Sequence, residues 1–129
     1  MYCSHTIEHL YPQAAIVVLR EMRRVLSPEG VARVAVPSME HAMRIAAGEA
    51  DSRWPRGFKE PLSRAANYLF CDGQHRYAYT AEILGEFARE SGFSRRYNFS
   101  AEHETASRDY FGVQVGNEPE GSLIYELRP

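Results

Sequence analysis

The 129-residue chain carries 15 Lys and Arg against 17 Asp and Glu, so its formal net charge is -2. This balance gives no basic field for nucleic acid, and no apolar run reaches the roughly 18 residues of a membrane helix. The length, with 44% hydrophobic and 25% charged residues, indicates one ordinary globular domain. No signal-peptide pattern opens the chain, and Cys3 and Cys71 are too few for a disulfide framework. We therefore expect a cytoplasmic protein whose two cysteines are small buried side chains.

The first third of the chain has the pattern of half a βαβ unit. Residues 1–3 predict the end of a strand, and "PQAAIVVLREMRRVL" (12–26) predicts a helix with apolar residues along one face. Pro28 ends that helix, and Val31–Val36 then predicts a short strand that is apolar on both faces, as a central parallel strand is. Arg33 is the exception in that strand.

Residues 38–79, called the insert below, are less regular. Ser38 predicts the cap of a short helix that runs to about Ala47, and a second short helix is predicted over Leu62–Phe70. Glycines and prolines break the pattern between them. The insert carries the chain's one tryptophan, Trp54. Two interpretations stay open: the insert is a lid or substrate wall, or it is a cap that fills a groove.

The second half of the chain holds the clearest helix. Residues 80–90 predict a helix with Thr80 as N-cap, and Gly92 predicts a left-handed end with Phe93 folding back on the helix. A short helix is possible around Ala106–Phe111. Two strands are predicted, over Arg95–Ser100 and Ser122–Leu127.

The opening residues contain H-T-I-E-H, which has the H-x-x-E-H spacing of an inverted zinc-protease motif. On a helix, His5 and His9 would share a face and could hold one metal ion, with Glu8 as the general base. A zinc protease also needs a third ligand. The late helix offers candidates by residue type alone: Glu82, Glu86 and Glu90. We expect no metal, and a zinc metalloprotease remains a remote alternative.

Two longer stretches carry a family resemblance. "YCSHTIEHL" followed by "LREMRRVLSPEGVARVAVPS" resembles the second half of a class I S-adenosylmethionine-dependent methyltransferase of the type 11 group. Members show a strand ending in a small residue and His, then E-H-L, a helix reading L-x-E-x-x-R-V-L-K-P-G-G, and a strand ending in V-P-D. The corresponding positions hold Leu19, Glu21, Arg24, Val25, Leu26, Ser27, Pro28, Glu29 and Gly30, then Val36, Pro37 and Ser38; Glu29 and Ser38 are departures from the pattern.

A third stretch extends the resemblance to nearly the whole chain. "HRYAYTAEILGEFARESGF" is similar to a later block of the same family, H-x-Y-x-x-T-x-x-x-L-x-x-x-x-x-x-x-G-F. The matching residues are His75, Tyr77, Thr80, Leu84, Gly92 and Phe93. Bacterial proteins of this kind are often encoded with surface-polysaccharide genes.

The resemblance implies an α/β fold, namely a partial Rossmann-like methyltransferase fold equivalent to strands 4–7 with their flanking helices. It implies one truncated domain over residues 1–129, with the insert at about 38–79. The family binds its cofactor on a Gly-rich loop after the first strand, with an acidic residue closing the second strand. No G-x-G occurs among the nine glycines, so we expect the N-terminal cofactor-binding half to be absent from this chain.

The resemblance also implies S-adenosylmethionine as the cofactor. Four residues are then expected to lie near it: Ser4, His5, Glu8 and His9. Four others are expected to bind the acceptor: Pro37, Ser38, Arg76 and Tyr77. If the acceptor must lose a proton, His75 is the preferred base and His5 the second candidate, because imidazole titrates near neutral pH. Each of these histidines could equally be an ordinary loop or surface residue.

We therefore expect a methyltransferase that acts on a small-molecule or sugar-type acceptor, whose activity on its own is open. The alternative is a non-catalytic methyltransferase-like binding module. The exposed edge of the first strand predicts pairing with a second copy, as a homodimer, or with a missing N-terminal half. We expect no nucleic-acid or membrane partner.

Overall fold

The computed structural model describes residues 1–100 and 121–129. Four strands and four helices make up this part of the chain. The strands are β1 (Tyr2–Ser4), β2 (Ala32–Pro37), β3 (Arg95–Ser100) and β4 (Ser122–Arg128). The helices are α1 (Pro12–Val25), α2 (Met39–Ala46), α3 (Pro61–Phe70) and α4 (Ala81–Glu90). None of these helices is long and apolar enough to cross a membrane. The short helix predicted at 106–111 lies outside the described residues.

The described strands form one mixed sheet in the order β1-β2-β4-β3. β1 runs parallel to β2, with Cys3 opposite Val34, whereas β4 is antiparallel to both of its neighbours. The prediction of β2 as a central strand is confirmed, but its surroundings are mixed rather than parallel. The sheet is mixed because β4, the last strand in the sequence, lies between β2 and β3.

One face of the sheet carries the main core. Alternate residues of β2 and β4 point to this face, as the two-residue period of a strand requires. They pack against α1 and α4, whose apolar stripes the sequence predicts. The core residues of these four elements are Ala15, Leu19, Met22, Ala32, Val34, Val36, Leu84, Ala88, Leu123, Tyr125 and Leu127. This packing fixes the positions of the strand ends.

The opposite face of the sheet holds a buried ion pair. Arg33 and Glu126 are direct cross-strand partners on β2 and β4, and Arg33 Nη1 lies 3.1 Å from Glu126 Oε1. Their side chains are 1% and 0% exposed. The arginine that interrupts an apolar strand in the sequence therefore has a carboxylate facing it from a strand 93 residues later.

The helix ends follow the predicted capping residues. Ser38 Oγ accepts a hydrogen bond from the His41 amide, and Thr80 Oγ1 accepts one from the Ile83 amide. After α4, Gly92 has a φ of 87°, and the Phe93 amide donates to the Ala88 carbonyl. This bond and the one from Gly92 to Arg89 form a Schellman motif, which confirms the predicted left-handed end.

The insert contains both predicted helices and has a small core of its own. α2 and α3 pack against each other through Ala42, Ile45, Ala65 and Tyr68. The Tyr68 hydroxyl donates to the Gly121 carbonyl at 2.8 Å, just before β4. The insert is therefore a helical pair tied to the end of the sheet, and it is more regular than the sequence suggests.

Both cysteines are free thiols, as expected. Cys71 is buried at the end of α3, and Cys3 is half-buried against the main core. Burial raises the pKa of both thiols, which keeps them protonated and unreactive at neutral pH.

The Arg33–Glu126 pair gives the first prediction. The variant Glu126→Gln removes the carboxylate charge while keeping the side-chain shape, and it leaves the buried guanidinium without that charge. We expect the free energy of unfolding to fall by about 3–5 kcal/mol, as it does when one partner of a buried pair is lost. Urea denaturation measures the change.

The matched control is Glu21→Gln, which breaks the exposed Glu21–Arg24 pair on α1. Water already screens that pair, so its loss should leave the urea midpoint nearly unchanged. The double variant Arg33→Met/Glu126→Leu should recover most of the stability, because it removes both charges of this pair together. Equal effects of the two Glu→Gln changes would show that the buried pair is no more important than the surface pair.

Candidate functional site

A pocket of about 720 Å³ lies at the carboxyl ends of β1 and β2. We call it the strand-end pocket. Ser4 and His5 follow from β1, and Pro37 ends β2. Among the described residues, its lining comprises Ser4, His5, Pro37, Asp51, Ser52, Arg53, Trp54 and Tyr68. Three of the predicted site residues therefore meet in one place, because parallel strands end at the same edge of a sheet.

The insert forms the opposite wall of the strand-end pocket. Residues 51–54 of this wall come from the segment between α2 and α3, and Tyr68 comes from α3. Trp54 is 56% exposed. Of the two interpretations that the sequence left open, the structure supports a wall rather than a filled groove. Trp54 lines the pocket, although the sequence analysis did not assign it to the site. It is the chain's one tryptophan and lies in the insert, and this could have marked it as a candidate.

His5 sits in the pocket lining with an unusual backbone. Its φ of 48° is left-handed, a conformation that costs a non-glycine residue about 1–3 kcal/mol. The His5 amide donates to the Ala35 carbonyl at 2.8 Å, which extends the pairing of β1 with β2. Its ring lies between two partners: Nε2 is 2.9 Å from Ser122 Oγ, and Nδ1 is 3.4 Å from Glu8 Oε1. The backbone turn therefore aims the imidazole between the pocket and Glu8.

Glu8 is buried beneath the pocket, with a side chain that is 1% exposed. It lies in a 3₁₀ turn, Ile7–His9, so His5 and His9 do not share the helical face that a zinc-protease motif needs. Its carbonyl oxygen accepts the amides of Arg76 and Tyr77 at 2.7 and 3.3 Å. Its carboxylate has no hydrogen-bond partner among the described residues.

Two further histidines face the Glu8 carboxylate. His9 Nε2 lies 4.0 Å and His75 Nε2 lies 3.9 Å from Glu8 Oε1. We call Glu8, His9 and His75 the Glu8 cluster. The rings of its two histidines meet edge to face, with centroids 4.8 Å apart. Trp54 of the pocket wall lies 6.4 Å from the His75 ring, so the cluster and the pocket adjoin each other.

His75 is held in one protonation state by its surroundings. Its Nδ1 lies 2.7 Å from the Leu69 carbonyl oxygen, and a carbonyl can only accept, so Nδ1 carries the proton. Burial lowers the pKa of His75 below its ordinary value of 6.5, and this outweighs the Leu69 hydrogen bond and the Glu8 charge, which raise it. His75 is therefore neutral at pH 7, with a lone pair on Nε2.

The remaining predicted site residues lie outside the pocket lining. Ser38 caps α2, and its hydroxyl also donates to Glu40 at 2.7 Å. Tyr77 stacks on Phe87 of α4, and the Arg76 guanidinium lies 6.0 Å from the centre of the Tyr11 ring. Their proposed roles in acceptor binding stay predictions, as do those of the pocket and cluster residues.

Comparison with known proteins finds a solved structure with a similar fold. No protein-family model and no curated protein sequence matches the chain. A solved structure of a candidate O-methyltransferase from Nostoc punctiforme matches 99% of the chain with a TM-score of 0.57 and 14% sequence identity. The chain shares its fold with part of that protein. It spans 30% of the length of the protein it matches.

The neutral state of His75 gives the second prediction. We expect its ring signals, followed by NMR, to titrate with a midpoint below 6.5, because burial disfavours the imidazolium. The unfolded chain then binds more protons than the folded chain below that pH. The free energy of unfolding should therefore fall as the pH is lowered through and below 6.5.

The same residue in the urea-unfolded chain is the control for this titration. There it should titrate near the ordinary value of about 6.5. A folded-state midpoint above the unfolded one would show that the Glu8 charge outweighs burial.

Proposed function

We propose that this chain forms the acceptor-binding part of an S-adenosylmethionine-dependent methyltransferase that acts on a small organic molecule. The observation that carries the proposal is the strand-end pocket, at the site where open α/β sheets bind their ligands. Its volume of about 720 Å³ is that of a small-molecule site. The methyltransferase fold supports the same interpretation without choosing an acceptor.

The chain fits the cofactor in part. Ser4 and His5 line the pocket, where they would contact the methionine end of S-adenosylmethionine. Glu8 and His9 lie in the cluster beneath it, so any effect they have on the cofactor passes through His5. No G-x-G is present in the 129 residues. We propose that polypeptide outside them, such as an N-terminal half placed along β1, supplies the Gly-rich loop. A second copy could pair with β1, but it would lack this loop as well.

β1 suits that role because it is the edge strand of the described sheet. An edge strand offers backbone donors and acceptors to a further strand, and a protein normally covers or pairs such an edge. A strand added beside β1 would also bring its own carboxyl end, if parallel, next to the pocket. The cofactor loop and the acceptor wall would then face each other across Ser4 and His5.

The pocket wall indicates the kind of acceptor. Trp54 and Pro37 offer flat apolar surface, whereas Asp51, Ser52 and Arg53 offer charges and hydrogen bonds within one lining. An acceptor with an apolar ring face and polar substituents matches both, which agrees with a small-molecule or sugar-type acceptor. Positioning that acceptor and excluding water are the main tasks of such a site.

When bound, S-adenosylmethionine supplies the methyl group, and a hydroxyl acceptor must then lose a proton. His5 is the histidine of the pocket lining, so we propose it as the base in preference to the buried His75. The acceptor hydroxyl would take the place of Ser122 Oγ at Nε2. Glu8 Oε1, 3.4 Å from Nδ1, would stabilise the imidazolium that forms.

A binding module without catalysis is the second candidate. Described residues of this chain line the pocket, whereas no G-x-G for a cofactor loop occurs in its 129 residues. The DNA upstream of Met1 discriminates between the two candidates. An in-frame apolar strand followed by G-x-G-x-x-G would favour the enzyme, and a stop codon just upstream would favour the module.

The third prediction concerns cofactor binding by the chain as it stands. Titration with S-adenosylhomocysteine, followed by ¹H–¹⁵N NMR, should shift the amides of Ser4 and His5 and the Trp54 indole. These groups line the pocket, and a partial site should still bind weakly. Trp54→Ala should weaken the shifts at Ser4 and His5, because it removes the facing wall.

Val17→Ala, on the exposed side of α1, is the control and should bind as the wild-type chain does. No shift at millimolar ligand would contradict a cofactor site in this chain. Shifts that spread over the surface and persist in Trp54→Ala would place binding elsewhere.

A further inference from the structure

The Glu8 cluster brings three potential metal ligands together from two parts of the chain. Glu8 and His9 lie in the turn after β1, and His75 lies after α3, 66 residues beyond His9 in the sequence. One ligand atom from each residue lies within 4.8 Å of the other two. Two imidazoles and one carboxylate form a donor set that suits zinc and similar divalent transition metals.

Both histidines are oriented as metal ligands usually are. His9 Nδ1 lies 3.3 Å from the Gln74 carbonyl and His75 Nδ1 lies 2.7 Å from the Leu69 carbonyl, so both donate their proton to the backbone. In the neutral rings the lone pairs are on Nε2, the atoms nearest Glu8. A metal-bound imidazole typically donates its other N–H in this way, which fixes the tautomer and the ring orientation.

The cluster also contains buried polar atoms that the described protein does not satisfy. Both carboxylate oxygens of Glu8 and Nε2 of His75 lack a hydrogen-bond partner among the described residues. Their side chains are 1% and 2% exposed. The distances of 3.9 and 4.0 Å from Glu8 Oε1 to the two Nε2 atoms are too long for hydrogen bonds. Leaving a buried carboxylate without a partner is costly, so these atoms need a further partner.

We propose that Glu8, His9 and His75 bind one divalent transition-metal ion of the zinc class. Ligand atoms around a tetrahedral zinc ion lie roughly 3.4 Å apart, so a contraction of about 0.5 Å would bring the Glu8–histidine pairs to that spacing. Three protein ligands leave a fourth position for water or another ligand. The His9 side chain is 39% exposed, which gives the ion a route from solvent.

This ligand set differs from the one that H-x-x-E-H implies. In that motif His5 and His9 bind the metal and Glu8 is a base beside it. Here His5 Nε2 is bonded to Ser122, and Glu8 is itself a ligand, with His75 replacing His5. The difference follows from the 3₁₀ turn at Ile7–His9, which points Glu8 rather than His5 toward His9 and His75.

A bound ion would fasten the insert to the sheet. Glu8 and His9 follow β1, and His75 lies near the end of the insert. The metal would add to the bonds that already join these segments, from the Arg76 and Tyr77 amides to the Glu8 carbonyl and from His9 to the Gln74 carbonyl. We therefore expect the ion to stabilise the fold and the pocket wall. The site does not depend on methyl transfer, and its test uses neither cofactor nor acceptor.

The test is zinc binding to the purified 129-residue chain after chelator treatment. Calorimetric titration with zinc chloride should give one ion per chain, and zinc should raise the melting temperature. Cobalt(II) in place of zinc should give the visible absorption of a low-coordinate site. His9→Gln should lower the zinc affinity by more than about 100-fold, because loss of even an outer partner costs 10- to 100-fold.

His5→Gln is the matched control, since it removes the neighbouring histidine that the proposed site does not use. It should keep the stoichiometry, whereas a H-x-x-E-H site would lose its zinc. His9 is partly exposed, so His9→Gln should fold, which circular dichroism checks. Absence of zinc binding, or equal binding by wild type and His9→Gln, would overturn the proposal. Loss of binding in His5→Gln would overturn this ligand set.

Discussion

The burial of Glu8 is the constraint that shapes the whole site. Its carbonyl oxygen receives the amides of Arg76 and Tyr77, and its carboxylate lies among imidazoles beneath the pocket. A charged residue reaches that position because His5 takes a left-handed backbone conformation and a 3₁₀ turn follows at once. The strain at His5 persists because its amide and its ring are both held, by Ala35 and Ser122.

The position of the insert depends in part on the hydrogen bonds that the Glu8 carbonyl accepts. Its helices bury little apolar surface, with a core of three small to medium side chains and Tyr68, so their own packing is weak. Among the described residues, their place on the sheet is set by the bonds from Tyr68 and Ser38 to the Gly121 carbonyl and by the bonds to the Glu8 carbonyl. The position of Trp54 in the pocket wall thus follows from contacts far from Trp54 itself.

Local signals in the sequence predict the elements well. Pro12, Ser38, Thr80 and Gly92 mark helix ends through the chemistry of a single turn, and the structure places each at such an end. The strand-end pocket was also foreseeable, since Ser4, His5 and Pro37 directly follow the stretches 1–3 and 31–36 that the sequence predicts as strands.

Long-range pairing lay beyond that reasoning. The pairing of β4 with β2, the partner of Arg33 and the approach of His75 to Glu8 each join residues more than 60 positions apart. No periodicity encodes such contacts. The H-x-x-E-H spacing drew attention to His5 and His9 as a pair, because its usual geometry is helical, whereas the 3₁₀ turn makes Glu8 the residue that the other two approach.

The position of β4 between β2 and β3 also sets an order of events during synthesis. Until residues 122–128 leave the ribosome, β2 and β3 lack the strand that lies between them, and the Arg33 guanidinium lacks the Glu126 carboxylate. Folding of the sheet must wait for the last strand, because its central contacts are the most distant in sequence. Helical segments can form earlier, but a nascent chain that stops at α4 exposes a half-built sheet edge, the state in which chaperones are most needed.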